Sequence, residues 1–228
     1  MKELLVPLLF AVAIAVMEYV SKSLDLRHKS YYYRIVSFTA GVSTSYILLE
    51  LFPIFSEKAI QLDRFLFLFL LVGFISHHIV EKEIYKHNRK HELVRMLTYE
   101  EHIFYYIYHF IFGIVLVTLT MLNPVEGTFF AISIFAYTLV SNLPSDPHKS
   151  KKRMIFLSTS TIFGAILAAF IWPYITEWAL YAMIGLITGV LLFTVTRHHI
   201  PHGRVGNVTY FILGFLIYGA LIVIKWTQ

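Results

Sequence analysis

An all-α polytopic membrane helix bundle is the fold class this sequence predicts, and three observations carry it. Of the 228 residues, 57% are hydrophobic and 14% charged, where a soluble domain holds about 45–50% apolar and about 25% charged residues. Eight apolar stretches approach the roughly 20 residues that a helix needs to cross the hydrocarbon. Lysine and arginine crowd alternate connectors and avoid the ones between. Long unbroken apolar runs satisfy their backbone as helices, whereas a barrel shows alternating strands of about ten residues.

The stretches are roughly 4–20, 33–55, 63–80, 101–122, 125–143, 154–175, 178–196 and 207–226. Asn123-Pro124 separates the fourth from the fifth, and Pro173-Tyr174 lies near the end of the sixth. Fifteen of the nineteen basic residues sit on alternate connectors, beginning with Lys22, Arg27, Lys29 and Arg34 and ending with Arg197 and Arg204. The positive-inside rule places those connectors in the cytoplasm and both termini on the far side. Ala13-Ile14-Ala15 resembles a signal-peptide cleavage site. Cleavage there would leave the basic connector 21–34 outside, so the first stretch is read as a retained helix. The expected location is an inner or plasma membrane.

Several function classes drop out. The chain has no cysteine, which excludes disulfides, thiolate metal sites and thiol nucleophiles. It has no GxxxxGK[ST] phosphate loop and no GxSxG elbow, and its connectors are too short for a soluble catalytic module. The net charge of +5 is read as basic loops against anionic lipid rather than as a nucleic-acid surface.

An internal echo links the second and seventh stretches. Gly41-Val42 precedes Pro53 by the same spacing with which Gly189-Val190 precedes Pro201. Under the assigned topology the two helices run in opposite directions, as the members of an inverted repeat do.

Ionisable residues inside a span mark candidate sites. Glu18 lies near the cytoplasmic end of the first stretch, within reach of the headgroups. Glu50 lies three residues before Pro53, where it snorkels or faces an outer vestibule. His109 follows His102 by two helical turns, about 10 Å along the axis. With Tyr105 and Tyr106 they form a polar stripe that reads as an inner vestibule or as interhelical hydrogen bonding. Hydroxyls cluster at Ser43, Thr44 and Ser45, and again at Ser158 to Thr161, with packing as their first reading. Ten of the eleven histidines fall on the cytoplasmic side. His87 and His91 would share one helical face, and His198, His199 and His202 have metal-ligand spacing.

Taken together, these features are similar to the ZIP (Zrt/Irt-like) divalent-metal transporter family. The eight spans, the histidine-bearing connector 81–98, the second span from Phe38 to Pro53 and the seventh from Gly185 to Pro201 carry the resemblance. It implies a three-plus-two-plus-three bundle with an inverted repeat, and transport of a divalent cation such as zinc along a path past Glu50, Tyr105, Tyr108, His109, Ser141 and Asn142. His102, His109, His198, His199 and His202 are the candidate metal ligands. The sequence departs from the family where its metal site belongs. Tyr108, His109 and Phe112 stand where a histidine, an asparagine and a carboxylate are expected, and Tyr137 to Asn142 brings neither histidine nor acid. One imidazole does not replace a divalent ion's hydration. The expectation is therefore a ZIP-like membrane protein with an altered centre. The alternatives are a non-transporting scaffold, as a homodimer or beside a membrane partner subunit, and a histidine-cluster di-iron enzyme.

Overall fold

The computed structural model describes residues 2–23, 31–87, 90–140, 151–200 and 206–227. Within them the elements are all helical. They are α1 (Lys2–Ser23), α2 (Tyr32–Tyr46), α3 (Phe52–Leu62), α4 (Leu66–His87), α5 (Lys90–Leu122), α6 (Pro124–Val140), α7 (Lys151–Ser158), α8 (Ser160–Ile171), α9 (Glu177–Thr194) and α10 (Val208–Trp226). Among the described residues six helices are long and apolar enough to cross a membrane: Leu4–Ser21, Tyr32–Leu62, His102–Leu122, Lys151–Tyr174, Glu177–Arg197 and Val208–Trp226. Pro124–Leu139 is a shorter apolar helix. In α4 the apolar run stops at Val80, where Glu81, Lys82 and Glu83 begin.

Helix ends follow local chemistry. Asn123 caps α6: its Oδ1 accepts the backbone N–H of Val125 at 3.0 Å, and Pro124 takes the first position, where its missing N–H costs nothing. Asn207 and Thr176 cap α10 and α9 in the same way. The connector 81–98 is helical on both sides of residues 88 and 89. His87 closes α4 and pairs with Glu83 one turn earlier, at 3.1 Å. His91 belongs to the first turn of α5, and residues 88 and 89 between the two histidines lie outside the described residues.

Three helix pairs form the frame: α2 with α10, α4 with α9, and α5 with α8. In each pair the partners run in the same direction. Ser37 meets Asn207, Ser45 meets Phe215 and Glu50 meets Lys225 in ascending order. Phe69 faces Trp178, Phe74 faces Phe193 and Glu81 meets Arg197. Each pair closes on two glycines in one shared pattern. A Cβ on Gly41 would strike the Phe211 carbonyl, and one on Gly214 the Phe38 carbonyl. Gly189 and Gly73 stand in the same relation to Leu70 and Leu186, as do Gly113 and Gly164 to Thr161 and Phe110. Backbone thus meets backbone, the geometry that small residues allow between helices in lipid.

Two helices carry a π turn at matching places. Ile47–Leu51 links α2 to α3, and Val195–His199 extends α9. Each starts six residues after its interlock glycine and precedes a proline, Pro53 or Pro201. At Pro53 proline removes one backbone donor and crowds the preceding turn, and the widened turn Ile47–Leu51 accommodates both effects. In the first case the helix continues as α3. In the second Ile200 is extended, the conformation favoured before proline.

The outward faces are apolar, with Leu5, Leu9, Phe65, Leu68, Phe170 and Leu216 exposed. The inward face of α1 is a stripe of Ala11, Ile14, Ala15, Glu18 and Ser21, all buried.

The interlocks predict an ordered response to added methyl groups. Gly113→Ala or Gly41→Ala should destabilise the protein by about 1–3 kcal/mol through overpacking, read as a lower midpoint in detergent unfolding. Gly219→Ala should stay close to wild type, because its added Cβ would meet Leu49 at an ordinary 3.6 Å.

Candidate functional site

The α5–α8 interlock builds the centre of the bundle. Gly113 brings the α8 backbone against α5. One turn before Gly113 stands His109, and one turn before Ala165 stands Thr161. The close approach sets His109 Nδ1 3.1 Å from Thr161 Oγ1. In the run Ser158 to Thr161, the first three hydroxyls bond carbonyls of their own helix, which bends a helix, while Thr161 reaches across to α5.

The carboxylate comes from α1. Glu18 Oε2 lies 3.7 Å from the same His109 nitrogen, and both side chains are fully buried. One imidazole nitrogen therefore faces a hydroxyl and a carboxylate together. The walls are aromatic. Tyr105 stacks on the imidazole at 4.0 Å between centroids, Phe112 meets it edge-on at 5.0 Å and Tyr108 lies at 5.1 Å. Tyr137 of α6 packs against Tyr108 and Phe112. Ser21, one turn after Glu18, donates to the Thr138 carbonyl at 3.3 Å and ties α1 to α6.

A second ionic cluster lies at the other end of α2. The π turn turns Glu50 into the protein, where its side chain is 4% exposed. Lys225 of α10 donates to Glu50 Oε1 at 2.6 Å and also to Glu126 Oε1 of α6. The ammonium stands 5.4 Å from the Phe129 ring centroid. Tyr218 donates to the Phe129 carbonyl at 2.7 Å and packs on Tyr46. A third, simpler pair joins Arg197 in the other π turn to Glu81 of α4 at 2.9 Å.

The sequence-derived site residues thus separate into groups. Tyr105, Tyr108 and His109 come together at the centre. Glu50 neither snorkels nor faces water; it is buried against Lys225. Glu18 does not reach toward headgroups but points inward to His109. Tyr106 leaves the polar stripe to stack on Phe156 at 4.8 Å, and His102 is half-buried. His198 and His199 lie on the backbone of the second π turn. Ser141, Asn142 and His202 lie outside the described residues. Among the described residues no three His, Asp or Glu side chains gather with metal-ligand spacing. The partners missed from sequence are Glu18 and Thr161 for His109, and Lys225 and Glu126 for Glu50. The small-residue stripe of α1 was the available signal for Glu18, since it marks the face that turns to the bundle.

No protein-family model matches this chain, and no curated protein matches it.

If Glu18 and His109 act as one buried unit, their substitutions will not add. Glu18→Gln and His109→Asn, singly and together, should give a double-mutant coupling of about 0.5–3 kcal/mol in detergent unfolding. Additive effects would show that the two side chains ignore one another.

Proposed function

We propose that this chain is an integral membrane transporter of ZIP-like architecture that passes a cation through a centre rebuilt around Glu18 and His109. The observation that carries the reading is the matched packing of its two halves. Phe38, Gly41 and Pro53 correspond to Leu186, Gly189 and Pro201 at one constant offset. Leu70, Gly73 and Phe74 correspond to Phe211, Gly214 and Phe215 at another. Exchanging α2 with α9 and α4 with α10 turns the α2–α10 interlock into the α9–α4 interlock, atom type for atom type. The same exchange carries α1 on α6 into α8 on α5, and α2 on α6 into α9 on α5, all of which are packing pairs. The two π turns also exchange.

Such a relation supports an inverted repeat of three helices on either side of α5 and α6, with α4 and α6 as the two spans beyond the six long ones. Repeats of this kind place their site at the interface and alternate its access by rocking one half on the other. The Glu18–His109 pair lies between α1, α5 and α8, where the halves meet the middle helices. Buried carboxylate and imidazole at membrane depth are the side chains that carry protons and cations. The tryptophans Trp172, Trp178 and Trp226 lie at one end of their helices, in keeping with an interfacial belt on the face opposite the basic connectors. Both termini then lie outside.

A second reading has its own support. The aromatic walls pack tightly on His109, and no three-ligand metal group is found among the described residues. Both suit a non-transporting membrane scaffold or partner subunit.

Two experiments decide. Proteoliposomes carrying the chain should take up a divalent cation or protons. Glu18→Gln and His109→Ala should each abolish most of the uptake, since intramembrane ionisable residues mark ion pathways. Silence toward every divalent cation and toward protons would leave the scaffold. The natural lack of cysteine makes topology directly readable. Glu57→Cys and Thr227→Cys should react with a membrane-impermeant maleimide on intact cells, and Tyr85→Cys and Lys151→Cys only after permeabilisation. Labelling of Glu57→Cys and Thr227→Cys on opposite faces would end the eight-span reading.

A further inference from the structure

We propose that Glu50 and Glu126 form a second cation site, separate from the centre, that takes a hard divalent cation in exchange for the Lys225 ammonium. The charge balance is the starting point. Two carboxylates share one ammonium, so the cluster carries a surplus negative charge when both acids are ionised. The other π turn is tied to α4 by a single acid among the described residues, Glu81 to Arg197. Tying a π turn to a neighbouring helix therefore needs one acid, and the cluster at Glu50 has one more than that.

The oxygens give the second, independent sign. Lys225 engages only the Oε1 atom of each carboxylate. Glu50 Oε2 and Glu126 Oε2 are both buried and have no hydrogen-bond partner among the described residues. A buried carboxylate oxygen without a partner is costly, and the rings of Phe129, Tyr46 and Tyr218 screen little of its charge. A divalent ion removes both deficits. It matches the two negative charges, and the waters that such an ion keeps can donate to the carboxylate oxygens that the ammonium leaves without a partner. Magnesium-like ions are bound by one or two carboxylates and keep several waters, which agrees with a site of two acids and not three.

The exchange is sterically simple. Lys225 sits in the last turn of α10 with its side chain 15% exposed, and its methylene arm lets the head swing to water. Glu50 is fixed by the π turn at the inner wall and Glu126 is 20% exposed at the rim. The lysine thus acts as a tethered stand-in for the ion. Loading the site releases the Lys225 tether alone, while Tyr218 still holds α10 to α6 and Ser45 still holds it to α2.

The test uses Mn2+ as the spin-visible probe and Mg2+ as competitor, on the full chain in detergent, with no transport assay involved. Wild type should bind one Mn2+ that Mg2+ displaces. Lys225→Met should bind it at least roughly tenfold more tightly, the equivalent of about 1.4 kcal/mol. Glu50→Gln and Glu126→Gln should each lose the signal, and Glu18→Gln should keep it. Lys225→Met that elutes and unfolds as wild type yet binds Mn2+ no more tightly would overturn the site. So would binding that persists in Glu126→Gln, the variant at the partly exposed rim that is least prone to misfold.

Discussion

Backbone-to-backbone contact at paired glycines is the constraint on which the other features of this bundle rest. In lipid the hydrophobic effect gives helices no reason to associate, because acyl chains are as apolar as leucine. What remains is close packing and weak polar contact, both of which need short interaxial distance. The six interlock glycines supply it at three places. Each lets a neighbouring carbonyl rest where a Cβ would stand, and so fixes register as well as distance. Once Gly41 meets Phe211, the partners of every residue a turn away are decided.

The polar sites follow from that register. His109 and Thr161 meet because both stand one turn before residues that touch at the α5–α8 crossing. Glu50 and Lys225 meet because α2 and α10 run alongside each other from Ser37 to the π turn. The π turn adds its own rotation, so a residue that a plain helix would aim elsewhere is brought into the wall. Position of chemistry is thus inherited from the packing of residues that have no side chains.

Much of this was legible in the sequence and some was not, for physical reasons. Apolar length is a local property, so the long apolar helices could be read off directly, whereas the break at Thr159 and the continuation of helix past Pro53 to Leu62 could not. The matching Gly-to-Pro spacing at Gly41 and Gly189 pointed to helices of one design, and these are the two that carry π turns. The depth of His109 was also evident from its place among apolar neighbours. The partners were hidden because pairing across helices depends on rotation about the helix axis, which hydropathy averages away when all faces are apolar. Glu18 is the instructive case. Its distance from the end of α1 suggested a side chain that reaches the headgroups, but Ala11, Ile14, Ala15 and Ser21 share its face and turn it inward. Lys225 gives no such signal, because nothing in its neighbourhood along the chain is acidic.

Stability alone is a poor account of the buried acids. Insertion scales put an acid or lysine at mid-helix at about 2.5–3.5 kcal/mol, and a buried ion pair replaced by well-packed apolar residues often gains stability. Leucine at positions 18 and 50 would fill either wall without that penalty. The frame has no need of the charges, since α1 is also held by Ser21 on Thr138 and α10 by Ser45 on Phe215. Nor are the acids scattered, as tolerated accidents would be. Glu18 meets an imidazole with both side chains fully buried, and Glu50 meets an ammonium beside a turn that breaks the regular helix. Each costly group is held in place by a feature that stability alone does not require, and it is on these two groups, not on the glycine frame, that the proposed handling of an ion rests.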